Sequence, residues 1–254
     1  MTRNLPYKYN AAEWPVRKKK LCNNIVINDE ITVEVIMEFD ALREIFEANA
    51  NQAQAAKMGA YMRDMFPFLG IASPERRRLF APFLKELKKE KGVNWAFADW
   101  CWGRDHREFQ YAAQYYLAAV KARVGPEDIP RIKRLIVTKS WWDTVDALDA
   151  VAGDAVSRFP ELKGVMLEWS LDENIWLRRA AIDHQLSRGA NTDAELLEAI
   201  ILNNLGQTEF FINKAIGWSL RDYSKAGPDW VRGFISRHGG EMARLSVAEA
   251  SKYI

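Results

Sequence analysis

Four stretches of this chain read alike: FQYAA at residues 109–113, WDTVD at 142–146, WLRRA at 176–180 and FINKA at 211–215. Their opening aromatics, Phe109, Trp142, Trp176 and Phe211, stand 33, 34 and 35 residues apart. That spacing is the length of a helix pair with its turns. From about residue 33 onward apolar positions return every three or four residues, and Gly, Pro, Asp or Ser marks the breaks. Roughly twelve to fourteen helical segments can be marked off in this way. Ser73 with Pro74 and Glu75, Ser140 with Asp143, and Thr192 with Glu195 have the spacing of helix starts. The expected fold is all-α, and the fixed period favours a solenoid of stacked helix pairs over a closed bundle. Ile25–Ile36, where apolar and polar residues partly alternate around Asn28 and Asp29, reads as a strand. Residues 1–32 form an N-terminal extension without a legible role, and residues 33–254 a single domain.

The 254 residues suffice for a sizeable core. A hydrophobic share of 48% against 28% charged excludes disordered, collagenous and low-complexity classes. No window approaches the roughly 18 uninterrupted apolar residues of a membrane span. The basic run Arg17–Lys20 is not followed by an apolar stretch and cleavage site, so no secretory signal is expected and the cytoplasm is the default compartment. Cys22 and Cys101 are too few for a disulfide framework and lack zinc spacing. His106, His184 and His238 are isolated, so neither a metal nor a cofactor is expected. A net charge of +2 neither demands nor excludes a polyanionic partner. Ten tryptophans exceed what a core of this size usually asks for, which leaves aromatic faces for a ligand.

Within the repeat, the residues four after each aromatic are Ala113, Asp146, Ala180 and Ala215. These share a helical face with the aromatic. Small residues there let neighbouring helices approach, and a carboxylate in that register faces desolvation unless it borders an open cleft. Asp146 is therefore the anomaly. Three residues after the aromatics come Ala112, Val145, Arg179 and Lys214, and seven after the last comes Trp218. Consecutive residues lie about 100° apart on a helix, so of Trp141 and Trp142 one can pack while the other faces the groove, and Trp142 shares the face of Asp146. Asp143 has a structural explanation as the capping-box partner of Ser140. Lys139, Arg178 or Arg179, Lys214 and Arg221 along the inner helices would suit a phosphate backbone. Each has a structural alternative: the tryptophans as core, Arg178 and Arg179 as partners of Trp176, Asp172 or Glu173. The run Arg76, Arg77, Arg78, Lys85, Lys88 and Lys89 reads as a solvated helix face.

The run Val137–Asp146, VTKSWWDTVD, resembles the signature of the AlkD family of alkylpurine DNA glycosylases. Tyr61–Arg77 (YMRDMFPFLGIASPERR), Asp172–Ala181 (DENIWLRRAA) and Glu209–Arg221 (EFFINKAIGWSLR) are similar to further family segments in the same order. The resemblance extends from about residue 35 to the last residue. It implies HEAT-like repeats, with a concave groove around duplex DNA, and release of cationic N3- and N7-alkylpurines such as 3-methyladenine and 7-methylguanine. By position it puts the catalytic aspartate on Asp146, the sugar-facing tryptophans on Trp142 and Trp218, and DNA contacts on Arg179, Tyr61, Lys139, Lys214 and Arg221. The first thirty-odd residues have no counterpart in shorter members.

The chemistry agrees with these residue types. Breaking an N-glycosidic bond develops oxocarbenium-like charge on the sugar, which a carboxylate stabilises more in the transition state than in the ground state. Asp146 could act on that charge or orient the attacking water. Indole faces add about 0.5 to 2 kcal/mol of cation attraction. A base that is already cationic leaves as a neutral purine, so one carboxylate serves where ordinary glycosidases use two. Lyase activity would need an amine such as Lys139 or Lys214, whereas the resemblance implies a monofunctional enzyme. The alternatives are a non-catalytic DNA-structure-binding protein, against which the presence of Asp146 speaks, and a protein-interaction scaffold. A monomer acting on double-stranded DNA that contains alkylated purines is the simplest expectation.

Overall fold

The computed structural model describes the backbone of residues 29–254 and the side chains of residues 39–254. The chain divides into a unit of residues 1–38 and a second of residues 39–254, and the site lies wholly in the second. Thirteen α-helices occur among the described residues. The first five are α1 (Asp29–Ala48), α2 (Gln52–Tyr61), α3 (Ser73–Leu87), α4 (Trp95–Gly103) and α5 (Arg107–Val120). Then come α6 (Ile129–Val137), α7 (Trp142–Arg158), α8 (Lys163–Ser170) and α9 (Ile175–Asp183). The last are α10 (Ala194–Leu202), α11 (Phe210–Tyr223), α12 (Pro228–His238) and α13 (Arg244–Ala250).

The odd-numbered helices from α5 to α13 pack in sequence, each on the next, while α4, α6 and α8 pack on the backs of α5, α7 and α9. This is a HEAT-like array of helix pairs, and the four repeated aromatics open its successive inner helices. The alanine column explains the close packing: Ala113, Ala180 and Ala215 are completely buried, as are Ala112 and Val145 one residue earlier. Such positions admit only small side chains, since interiors pack without voids. Gly217 extends the rule to α13. A Cβ there would lie 2.6 Å from that of Glu249, so only glycine lets the last helix carry Glu249 against α11.

Several helix starts differ from the sequence expectation. Ser140 sends its hydroxyl back to the Ile136 carbonyl (2.6 Å), and α7 begins after Trp141, whose side chain makes no cap. Thr192 yields to its neighbour Asp193, which accepts from the Leu196 amide at 3.0 Å. Ser73 is itself the first residue of α3, with Ala72 before it. In each case the helix start lies one residue from the sequence expectation.

The expected strand at Ile25–Ile36 is overturned for its described part. Residues 29–36 are helical, and residues 25–28 lie outside the described residues. Further along α1, Phe39, Leu42 and Phe46 are buried, with the spacing of three and four that belongs to a helix face. Phe39 meets Phe97 at 5.3 Å and Phe46 meets Phe109 at 5.4 Å, so the packing of that face outweighed a brief alternation.

Candidate active site

The site is built on α7, between the repeats before and after it. Its first turn is locked by Arg107 of α5, which is fully buried. The guanidinium donates from Nε to Asp143 Oδ2 (2.9 Å), from Nη2 to Asp143 Oδ1 (2.6 Å) and Thr144 Oγ1 (2.9 Å), and from Nη1 to the Lys139 carbonyl (2.7 Å). The Tyr111 hydroxyl donates to Asp143 Oδ2 at 2.7 Å, and burial followed by the Asp143 charge pushes its pKa up, so it remains a donor. Asp143 is thus structural, as a cross-repeat anchor rather than a capping-box partner. The same lock holds Lys139 in the left-handed region at φ 51°, which costs a non-glycine residue energy unless its surroundings impose it.

One turn on, Asp146 meets Arg179 of α9. Arg179 Nε donates to Asp146 Oδ1 (2.7 Å), Nη2 to Oδ2 (2.8 Å), and Nη1 to the Phe211 carbonyl (2.7 Å). The arginine side chain is 2% exposed and the carboxylate 26%. The buried residue of the pair is therefore the cation, and the carboxylate faces outward. Dehydration raises the Asp146 pKa against the opposing hydrogen bonds and charge of Arg179. Arg179, which the resemblance places at the DNA, spends its fork on the carboxylate. Arg178 is also directed elsewhere, to Asn204 Oδ1 at 2.7 Å.

The two adjacent tryptophans divide as their angular separation requires. Trp141 packs against Trp176 and Phe211, with ring centroids 5.6 and 5.2 Å away. Trp142 meets Tyr61 edge-on at 6.0 Å, beside a cleft of about 270 Å³ lined by both and by Met58, Met62, Phe68 and Tyr111. Tyr61 is 73% exposed, so its ring is available to a ligand. Trp218 has a cationic surround: Arg179 Cζ, Lys214 Nζ and Arg221 Cζ lie 5.4, 5.5 and 5.9 Å from its ring.

Lys214 and Arg221 are held by an acid the sequence did not single out. Glu249 of α13 accepts from Lys214 at 2.7 Å, from Lys252 at 2.7 Å, and from Arg221. The Lys214 hydrogen bond, followed by that of Lys252, pulls its pKa down to about 2. Lys139 donates its ammonium to the Arg104 carbonyl. Burial lowers its pKa, and the neighbouring charges of Arg107 and Arg104 add to this while Asp105 opposes. Arg76 corrects the solvated-face expectation, being 5% exposed, with its guanidinium 4.2 Å from the centre of the Tyr111 ring. Arg77, Arg78, Lys85, Lys88 and Lys89 are exposed.

Beneath Arg179 lie two further acids, Asp149 and Asp183, both buried. One carboxylate oxygen from each of Asp146, Asp149 and Asp183 falls within 4.8 Å of the others. Three carboxylates could hold a cation, but the Arg179 guanidinium already supplies positive charge among them. A signal for these acids was present: they stand seven residues after Trp142 and Trp176, the register that Trp218 occupies after Phe211. Cys101, a free thiol, is buried and takes no part, and Cys22 lies outside the described residues. Among the described residues no helix is long and apolar enough to cross a membrane.

Comparison with known proteins shows the family. No curated protein matches the chain. A solved structure titled "Predicted DNA alkylation repair enzyme from Enterococcus faecalis" is similar, with a TM-score of 0.75 and 34% identity, over 81% of this chain and 96% of that one. The family described as DNA alkylation repair enzyme matches residues 42–254. With that family spanning every inner helix and the solved relative sharing the fold at this identity, the chain belongs to the AlkD-like DNA alkylation repair enzymes.

Proposed function

We propose that the protein is a monofunctional DNA glycosylase that hydrolyses the N-glycosidic bond of cationic N3- and N7-alkylpurines, 3-methyladenine and 7-methylguanine among them, in duplex DNA. The observation that carries this reading is the half-buried Asp146 carboxylate, clamped through both oxygens by a buried arginine. A bidentate pair fixes the plane of the carboxylate and uses one lone pair on each oxygen. The remaining lone pairs face the exposed side. They can meet the developing charge at the sugar or accept a proton from the attacking water.

Partial burial serves the reaction. A dehydrated carboxylate gains more from an approaching cation than a solvated one, and the gain appears only as the oxocarbenium charge develops. At about 4 Å and an effective dielectric of about 20, the attraction is about 4 kcal/mol, or roughly a thousandfold in rate. The alkylated base departs neutral, and no general acid is required. Trp142 and Trp218 offer indole faces to the cationic sugar. Exposed Tyr61 extends the aromatic surface, and Lys139, Lys214 and Arg221 supply positive charge for the phosphate backbone. Arg179 acts on DNA through Asp146.

Release of free 7-methylguanine and 3-methyladenine from methylated duplex DNA tests the proposal, with Asp146→Asn as the control. Release that depends on Asp146 supports it. Duplex binding without any release would leave a DNA-binding protein that does not cleave.

A further inference from the structure

Around the one guanidinium of Arg179 stand three carboxylates, Asp146, Asp149 and Asp183. Only Asp146 reaches solvent, while Asp149 and Asp183 are 2% and 1% exposed. Were all four groups ionised, a buried site would carry two excess negative charges. Nearby like charges of this kind do not all ionise, and a proton is retained. The hydrogen bonds indicate where. Asp183 Oδ1 lies 3.0 Å from the Ser219 hydroxyl of α11, whose single proton is divided between it and the Ile182 carbonyl at 2.9 Å, and Asp183 Oδ2 lies 3.6 Å from Arg179 Nη2. The Arg179 charge first, and the shared Ser219 proton second, therefore support the ionised form of Asp183. Asp149 Oδ2 and Asp183 Oδ2 are both buried without a hydrogen-bond donor beside them.

We propose that Asp149 and Asp183 share a single proton beneath Arg179, and that this pair is a positioning device which holds the arginine against Asp146. With Asp149 neutral and Asp183 ionised, Arg179 has a carboxylate on either side. Asp183 then takes part of its charge and leaves Asp146 more negative toward the groove. When Asp183 gains a proton, Arg179 turns its full charge on Asp146 and the field at the sugar weakens. Burial raises the pKa of both acids, and the charge of Asp183 adds to this for Asp149. The apparent values belong to the cluster rather than to one residue.

The other charged groups near the pair are few. On α7 they are Asp146 and, beyond it, Asp143, which Arg107 of α5 already holds. On α9 they are Arg179 and His184 at its end, whose pKa burial lowers to about 4, so it stays neutral. From α11 comes the uncharged Ser219, with Lys214 and Arg221 engaged by Glu249.

This inference rests on the glycosylase reading for its activity readout, so the test has a second arm. Single-turnover release of 7-methylguanine is measured across a pH series for wild type, Asp183→Asn and Asp149→Asn. In parallel the carboxyl groups of 13C-aspartate-labelled protein are titrated by NMR. Wild-type release should rise with pH through the value set by the cluster. Asp183→Asn should lower the rate about tenfold to a hundredfold, the scale of a lost positioning contact. It should also move the limb down to the one Asp146 sets alone. Asp149→Asn, neutral like the protonated acid it replaces, should leave the limb near its wild-type position and remove the protonated carboxyl from the titration. Should Asp183→Asn fail to fold, Ser219→Ala replaces it and should move the limb upward. The titration should show one proton held by the two acids at neutral pH. A limb unmoved in folded Asp183→Asn or Ser219→Ala, or two ionised carboxyls at neutral pH, overturns the proposal. If wild type releases no base, the glycosylase reading fails, and the titration still decides whether the proton is shared.

Discussion

Two arginine–aspartate forks leave α7 in opposite directions, and they share a chemistry without sharing a role. Arg107 reaches forward from α5 to Asp143, and Arg179 reaches back from α9 to Asp146. In the first pair both side chains are withdrawn from solvent, at 0% and 7% exposure, and Tyr111 occupies a further lone pair of the carboxylate. In the second the arginine is as deeply buried, but the carboxylate is 26% exposed and its hydrogen bonds come from Arg179 alone. A saturated ion pair holds backbone in place. An unsaturated one keeps lone pairs for an incoming molecule. The difference between anchor and site therefore lies in what else touches the carboxylate, three residues apart on one helix.

The sharpest way to break this contrast is Asp146→Asn. It should lower base release about a thousandfold, close to 4 kcal/mol in the barrier, with duplex affinity and melting temperature little changed. A comparable loss of release in Asp143→Asn at unchanged stability would erase the distinction.

Arg107→Ala should show the opposite profile. It strands a buried carboxylate, which costs about 3–5 kcal/mol, and the melting temperature should fall by roughly 10 °C as read by calorimetry. Loss of activity without loss of stability would assign the anchor to the site.

Asp149→Asn sharpens the comparison by pH. In the wild type, the raised pKa of Asp149 means that the folded state binds a proton the unfolded state has released. Stability is then fully present below the ordinary carboxylate value, about 3.9, and is lost as pH rises from there to the folded value. The variant escapes that loss. Its stability relative to wild type should climb as pH rises above about 4, at up to about 1.4 kcal/mol per pH unit, until the raised folded value is passed. A difference independent of pH would refute the assignment.

Smallest is the effect of Glu249→Gln. Removing that acid frees Lys214 and Arg221 for phosphate, so duplex binding at low salt should tighten a few fold and its salt slope should steepen by about one. An unchanged slope would mean that these cations stay away from the backbone of the DNA.

Much of the candidate site is legible in the sequence. Asp146 declared itself as the one charged residue in a column of alanines, and Trp142 could be separated from Trp141 by helical angle. The cations are less legible. Arg179, Lys214 and Arg221 read as groove residues, yet their pairing with Asp146 and Glu249 does not show, because these acids lie 28 to 35 residues away from them. Asp149 and Asp183 escaped notice although they follow the same register, since a carboxylate seven residues beyond an aromatic carries no mark of burial. Arg76 shows the converse error: a run of basic residues reads as solvated, but its first member turns inward onto Tyr111.

What the sequence determined by itself was the helical period, the repeat length and the column in which each residue stands, because these follow from local geometry and from the need to bury an apolar face. Only the tertiary structure decided which charge meets which. Long side chains reach across a repeat boundary, and the free energy of each pair depends on how much water and how many other donors remain beside it. That is why two aspartates one helical turn apart became an anchor and a candidate catalyst.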